Sequence, residues 1–495
     1  MVSSEGRGKA VMVLGATSDA GKSITAMAFC RILSDMGYRV MPFKSQNMSL
    51  NAKPTPDGHE ISMIQTLQCQ AARVEPTFRV NPILMKPTSD MRSQVVVEGK
   101  VFGVYGVEEY YDDFIPNHSK RIVKENVDWI LAHNDIMIME GAGSPAEINI
   151  YDKDIANMRA AEIADADCIL VVNMEWGGSF AYVLGTIMLM PEDDRRRIKA
   201  VLYNNFRGKR EYLEDGIRMI EERTGIPCLG VVPHMEHRLP PEDSESLRGV
   251  TSVGEGRTNV GIIRLPRMAN FTDIDPFYCE NVKVTFVSDK EQLDGCDLIV
   301  IPGTKNSMMD MKWMNESGMA KAIRESVGKK PIVGVCGGYQ MLGRKLHNPK
   351  RYEDPDVLEI DGLGIFDMET TWDREDKITV RNRGKLLITG EEVTGYQIHV
   401  GRTETREEPL FEIESGPEGS CRKDDMVFGT YLHGVFEMPA FRRYVLSIAG
   451  HSSSDMCQKD YSESLEESID AITAGFRDNM DMSLFKKITG VERWR

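Results

Sequence analysis

No Cys-x-x-Cys pair occurs among the nine cysteines, which are odd in number and scattered along the chain. That spacing gives no disulfide framework and reads as reduced thiols, with a cytoplasmic location expected. His234-x-x-His237 has metal-like spacing, but no third ligand is near in sequence, and no metal site is assigned there. No apolar run approaches membrane-spanning length, and the N-terminus has no signal-peptide core, so no membrane role is expected. Positive charge is in deficit: 60 Lys and Arg stand against 76 Asp and Glu, for a net charge of −16. This argues against a nucleic-acid partner. An anionic small molecule would have to be met by local basic residues and backbone N–H groups. Internal repeats and low-complexity tracts are also missing.

The 495 residues suffice for two or three domains, and 41% hydrophobic with 27% charged residues is ordinary for a globular protein. Ala10 to Leu14 is a short apolar strand running into Gly15-Ala16-Thr17-Ser18-Asp19-Ala20-Gly21-Lys22-Ser23, and Ile24 to Met36 has helical spacing up to Gly37. Strand, glycine-bounded loop, Lys-Ser and helix form a phosphate cradle. Gly15, Thr17, Gly21, Lys22 and Ser23 are therefore candidate ATP-binding residues, with the Ser23 hydroxyl on Mg²⁺. The strand Arg39 to Phe43 leads into the polar run Lys44-Ser45-Gln46-Asn47-Met48-Ser49-Leu50-Asn51, expected at the ligand edge of a parallel sheet. Lys86 and Arg92 are candidate clamps for substrate carboxylates. Asp135 to Met139 is a buried strand ending at Glu140, which together with Ser23 and Asp57 makes the candidate Mg²⁺ set. Strands at Cys168–Val172 and Ala200–Tyr203 follow, and Asn204 can pair with an adenine edge. Alternating strands and helices argue for a doubly wound parallel sheet.

Polar, Pro- and Gly-containing sequence over 241–257 reads as a linker between a domain at 1–240 and a second at 258–450. In the second, strands are expected at Asn259–Ile263, Val282–Val287 and Asp297–Ile301. The apolar run Pro331 to Val335 ends at Cys336-Gly337-Gly338, followed by a helix-like segment. A thiol on such a turn is lifted into a cleft, and a helix start favours thiolate, so Cys336 reads as a nucleophile. The turn Pro302-Gly303-Thr304-Lys305-Asn306-Ser307 can offer N–H groups to an oxyanion opposite those near Gly337. His433 and His399, each just past an apolar strand, are the candidate bases. Asn348–Glu359 and Glu407–Asp425 read as charged surface loops, and Ser462–Asn479 as an amphipathic helix within a helical extension over 451–495.

The early first glycine of the phosphate loop resembles the dethiobiotin synthetase group of carboxylate-activating enzymes. Partition-type ATPases carry a lysine where Thr17 stands. Together with Lys44 to Ser49, Asn81-Pro82, Ser93-Gln94-Val95, Glu140-Gly141-Ala142-Gly143-Ser144-Pro145-Ala146-Glu147-Ile148-Asn149 and Asn204-x-Phe206-Arg207-Gly208, the order of motifs resembles the cobyric acid synthase family. The resemblance implies a dethiobiotin synthetase-like P-loop domain followed by a class I-like, flavodoxin-like glutamine amidotransferase domain. It implies amidation of the b, d, e and g carboxylates of adenosylcobyrinic acid a,c-diamide, with ATP, Mg²⁺, glutamine and a corrinoid as small-molecule partners; the oligomeric state stays open. It makes Lys44 a further nucleotide ligand and Gln46, Asn47, Ser49, Glu147 and Asn149 substrate candidates. It places Tyr396, Gln397 and His399 with Gly303 and Gly337 at the glutamine site, with His433 as base. Gly434 and Val435 follow His433 where triad amidotransferases, CTP synthase among them, have Pro-Glu, so the resemblance implies a Cys–His dyad. Asn173-Met174-Glu175-Trp176-Gly177-Gly178 departs from the family's Asp-Ile-Asp-Arg-Gly-Gly, and Gln397 stands where Glu is common. The alternatives are cobyrinate a,c-diamide synthase or another carboxylate amidoligase and, from a different class, a nucleotide-switched P-loop ATPase that binds a partner.

Overall fold

The computed structural model describes residues 7–89, 91–237, 239–240, 249–457 and 459–491. Of the expected linker, residues 241–248 lie outside the described residues. Among the described residues no helix is long and apolar enough to cross a membrane. The chain forms two compact units. The first gathers Met1–Ser49, His59–Leu239 and Glu466–Arg495; the second gathers Leu50–Gly58 and Pro240–Leu465. Two pieces thus group away from their sequence neighbours: 50–58 with the second unit and 466–495 with the first.

In the first unit, apolar runs such as Val11–Leu14, Ile136–Met139 and Ile169–Val172 are buried, as strands covered on both faces must be. They build a six-stranded sheet in the order Cys228–Pro233, Ile198–Phe206, Asp167–Asn173, Lys9–Gly15, Ile136–Glu140, Val40–Phe43, parallel throughout. Register Val13 opposite Glu140 brings the acid and the phosphate loop to one sheet edge. The helix Lys22–Asp35 starts at Gly21, whose φ of 91° suits glycine. Its Phe29 packs on Phe476 and Phe485 of the helices Tyr461–Asn479 and Met482–Thr489. The polar run after Phe43 is not all loop: Gln46–Met48 is a strand beside Ile83–Ser89, in a four-stranded sheet completed by Arg92–Val97 and Lys100–Gly106.

In the second unit a seven-stranded sheet has the order Ser252–Val253, Val282–Val287, Thr258–Ile263, Leu298–Ile301, Ile332–Val335, Val427–Thr430, Ser420–Arg422. The five inner strands are parallel and the two edges antiparallel. Of two stretches expected as surface loops, Asn348–Glu359 is a largely exposed loop as far as Leu358, and Glu407–Asp425 is corrected. Glu407–Asp425 holds the strands Phe411–Ile413, Gly416–Glu418 and Ser420–Arg422. Within Asn348–Glu359, Asn348 is buried and its Nδ2 donates to the carbonyls of Asp354 and Val357 at 2.7 and 2.9 Å. Polar side chains there satisfy backbone groups, which composition alone does not reveal.

Candidate active site

Cys336 sits at the turn between the strand Ile332–Val335 and the short helix Gly337–Met341, with φ 51° and ψ −107°. A non-glycine residue is held there only when its surroundings impose the strain. Its N–H donates to Thr430 O at 2.7 Å, tying it to the strand that leads to His433. His433 and Cys336 stand close enough for the sulfur to raise the proton affinity of the imidazole. The two glycine turns are packed so closely that side chains do not fit. A Cβ on Gly303 would stand 3.0 Å from His433 Cε1 and 3.8 Å from Cys336 Cβ, and one on Gly337 would stand 2.5 Å from Thr304 Cγ2. The expected oxyanion turn therefore lies against Cys336 and His433.

The expectation of a bare Cys–His dyad is corrected. His433 Nδ1 is 2.6 Å from Asp273 Oδ2, and the Gly434 N–H donates to Asp273 Oδ1 at 2.8 Å. Asp273, 3% exposed, lies in the 3₁₀ segment Phe271–Cys279. The carboxylate missing after His433 in sequence thus arrives from 160 residues away. Burial alone would push the imidazole down; the Asp273 carboxylate and the Cys336 sulfur outweigh it and hold His433 up at about 10. Tyr396 grips the same residue from the other side: its carbonyl accepts from the His433 N–H at 2.8 Å, its N–H donates to His433 O at 3.0 Å, and the two rings stack.

Sequence reasoning also missed Glu418. It accepts from Thr430 Oγ1 at 2.7 Å and the Tyr431 N–H at 2.6 Å, and burial pushes its carboxyl up to about 7 against those bonds. It steadies the chain entering His433. His399 is not arranged as a base. Its Nδ1 is 2.8 Å from Gly401 O, its ring stacks on Tyr431, and burial pushes it down to about 3, so it stays neutral. Gln397 is buried in the strand Glu392–His399, opposite Val380. Cys336 Sγ lies 3.9 Å from Ile398 O, between the two.

In the first unit, Glu140 is 1% exposed and is the hub. Its Oε1 accepts from Ser23 Oγ at 2.7 Å and Lys44 Nζ at 2.8 Å, and its Oε2 accepts from Gln68 Nε2 at 2.6 Å. Lys22 Nζ donates to Gly143 O at 3.1 Å and Thr17 O at 3.4 Å, and a Cβ on Gly15 would stand 2.9 Å from that nitrogen. Asn204 Nδ2 donates to Ala20 O at 3.1 Å, so this side chain braces the loop. Two hard oxygen donors, Ser23 Oγ and Glu140 Oε1, touch at the mouth of the cradle, and that pair fits Mg²⁺, which takes one or two protein oxygens plus water and phosphate. Asp57, bonded to Thr55, belongs to the segment that groups with the second unit. Among the described residues no cluster of three or more His, Cys, Asp or Glu could hold a metal. His234 instead meets Asn205 Oδ1 at 2.5 Å and Arg207 Nη2 at 2.7 Å.

The substrate candidates divide. Lys86 is buried on Glu60, Gln46 Oε1 accepts from Tyr110 at 2.6 Å, Asn47 Nδ2 donates to Ser62 Oγ at 2.9 Å, and Ser49 is buried with its N–H on Met85 O at 3.0 Å. Arg92, Glu147 and Asn149 are exposed.

Comparison with known proteins agrees with this division of parts. Residues 11–243 match the CobQ/CobB/MinD/ParA nucleotide binding domain, and residues 259–441 match the CobB/CobQ-like glutamine amidotransferase domain. A probable cobyric acid synthase of Methanothermobacter thermautotrophicus is 42% identical, over 97% of this chain and 99% of its own length. A cobyric acid synthase of Clostridium botulinum is 40% identical over 97% and 99%, and a probable one of Methanosarcina mazei is 41% identical over 98% and 99%. At that identity across nearly full length, the chain is an enzyme of the cobyric acid synthase family.

Proposed function

We propose that this enzyme converts the b, d, e and g side-chain carboxylates of adenosylcobyrinic acid a,c-diamide to amides, giving adenosylcobyric acid, with ATP and glutamine as co-substrates. The observation that carries the reading is the Cys336–His433–Asp273 arrangement in a chain whose other unit holds a phosphate cradle with Ser23 on Glu140. Family membership supports the choice of substrate.

A carboxylate resists ammonia because its charge repels attack and oxide leaves poorly. Its oxygen therefore takes the terminal phosphoryl group of ATP, with ADP leaving, and becomes an acyl phosphate. Lys22 and the loop N–H groups stabilise the charge of that transfer. Ser23 and Glu140 would hold Mg²⁺, which supplies charge neutralisation at the phosphates. In the second unit the Cys336 sulfur bonds to the amide carbon of glutamine. The oxyanion faces the turns at Gly303 and Gly337. His433 gives a proton to the leaving nitrogen, the C–N bond breaks, and ammonia departs; water then hydrolyses the thioester to glutamate. Asp273 keeps the imidazole in the tautomer and orientation this needs. Ammonia attacks the acyl phosphate and phosphate leaves. Proton transfer by a positioned group contributes ~10²–10⁴-fold.

The test is an assay of the purified enzyme with corrinoid intermediates, ATP and glutamine, read by mass for each added amide. The diamide should gain amides stepwise at its remaining b, d, e and g carboxylates. Amidation confined to the a and c positions would instead make it a cobyrinate a,c-diamide synthase. ATP turnover that no corrinoid or glutamine affects would favour the partner-switched ATPase.

A further inference from the structure

The segment Leu50–Gly58 comes from the N-terminal half of the sequence yet belongs to the second unit. Two of its first residues are fully buried: Asn51 is 0% exposed and Ala52 1%. They grip one place. Asn51 Oδ1 accepts from the Phe271 N–H at 3.0 Å, Asn270 Oδ1 accepts from the Ala52 N–H at 3.0 Å, and Leu50 O accepts from the Asn270 N–H at 3.4 Å. Asn270 has φ 49° and ψ 40°, a left-handed conformation that asparagine adopts more readily than most residues and that contacts on both sides fix here. It caps the segment that carries Asp273, whose own N–H donates to Asn270 O at 3.1 Å. One residue earlier, the Ala269 N–H donates to Gly303 O at 2.9 Å, at the oxyanion turn. Further along, Lys53 Nζ meets Glu437 Oε1 at 2.6 Å and lies over the Tyr396 ring, and Arg381 Nε donates to Pro54 O at 2.9 Å.

We propose that the strap Leu50–Pro54 is a positioning element of the glutaminase: by clamping Asn270 and Phe271 it sets the carboxylate of Asp273 on His433. The inference rests on the glutaminase reading above. Asn51 touches neither nucleophile nor base and acts through Asp273. Two hydrogen bonds from side-chain oxygens, Asn51 Oδ1 and Asn270 Oδ1, lock the strap and the left-handed turn to each other, so loss of either lets the turn relax. A shift of a fraction of an ångström at Asp273 is then passed to the imidazole, where misplacement by ~1 Å can cost ~10²-fold.

The experiment compares full-length wild type, Asn51→Ala, Asp273→Asn and the double variant, with glutamine and with ammonium as nitrogen source. Asn51→Ala should lower kcat for glutamine hydrolysis about tenfold, leave KM for glutamine within about twofold, and leave ammonium-dependent amidation within about twofold. In the Asp273→Asn background the same change should cost less than about twofold, because both act on one interaction. An unchanged kcat, an equal loss with both nitrogen sources, or full additivity with Asp273→Asn overturns the proposal. Should Asn51→Ala not fold, Asn270→Gly, which allows the left-handed turn but removes the bond to the Ala52 N–H, carries the test: about a threefold fall in glutamine-dependent kcat alone supports it, and none overturns it. A wild type that hydrolyses no glutamine overturns the glutaminase reading together with this inference. An active wild type with an unaffected Asn51→Ala overturns the inference alone.

Discussion

The two candidate sites arrange their charged groups differently. In the first, cations are matched to internal partners: Lys44 to Glu140, Lys86 to Glu60, and Lys22 to the carbonyls of Gly143 and Thr17. Phosphates entering that cradle must draw Lys22 from carbonyl oxygens and share Ser23 with Glu140. In the second, His433 is set between the Cys336 sulfur and the Asp273 carboxylate, bonded to the latter at 2.6 Å. Each member there already faces the atom it acts on. On the proposed function, the contrast implies that phosphoryl transfer depends on rearranging salt links around the nucleotide, while nitrogen release depends on how rigidly one ring is held.

Substitutions can break that contrast in order of effect. Cys336→Ala should abolish glutamine-dependent amidation, by on the order of 10⁴-fold or more, and preserve activity with high ammonium at raised pH. Loss with both nitrogen sources would contradict separable chemistry. Lys22→Ala should remove amidation with either source while glutamine hydrolysis persists; full amidation by this variant would take nucleotide phosphate out of the mechanism. Asp273→Asn keeps the shape but offers His433 the wrong partner, and should lower glutaminase kcat by ~10²–10⁴-fold with little change in KM. An effect of less than about threefold would leave His433 oriented by Tyr396 alone. Gly303→Ala puts a methyl 3.0 Å from His433 Cε1 and should cost about tenfold in glutamine hydrolysis only; a silent substitution would show that the turn yields freely.

The smallest effect is on stability. His433 is held up at about 10, whereas an unfolded imidazole titrates near ~6.5. Between those values the folded chain keeps a proton that the unfolded chain has lost, so this stabilisation is complete below ~6.5 and fades as pH rises through about 10. Denaturant unfolding should therefore show a larger stability gap between wild type and Asp273→Asn near pH 6 than near pH 10. A gap that widens with pH would mean the ring is neutral in the folded protein.

What could be read from the residues follows from how local each signal is. The parallel strands and the phosphate loop were legible because apolar runs end in small-residue motifs within a few positions, and the helix expected at Ile24–Met36 spans Lys22–Asp35. The turn at Cys336 announced itself in the same way. Asp273 did not: its partner stands 160 positions on, and a carboxylate in a 3₁₀ segment has no periodic pattern to mark it. Glu418 was hidden among charged neighbours, although its strand buries it. The pairing of Lys86 with Glu60 was likewise out of reach, since composition shows that a cation is present but not which anion neutralises it. The short antiparallel strands escaped because residues such as Thr379, Arg381 and Arg383 in Ile378–Leu386 offer no apolar run.

The loan of nine residues from one half of the chain to the other has a practical meaning for anyone dissecting the enzyme. An excised fragment starting at Thr258 would carry the thiol, the imidazole and its carboxylate, yet lack the three hydrogen bonds that Leu50, Asn51 and Ala52 make to Asn270 and Phe271. Such a truncation would be a poor proxy for the intact glutaminase, and supplying the 50–58 peptide in trans would be the natural way to restore it.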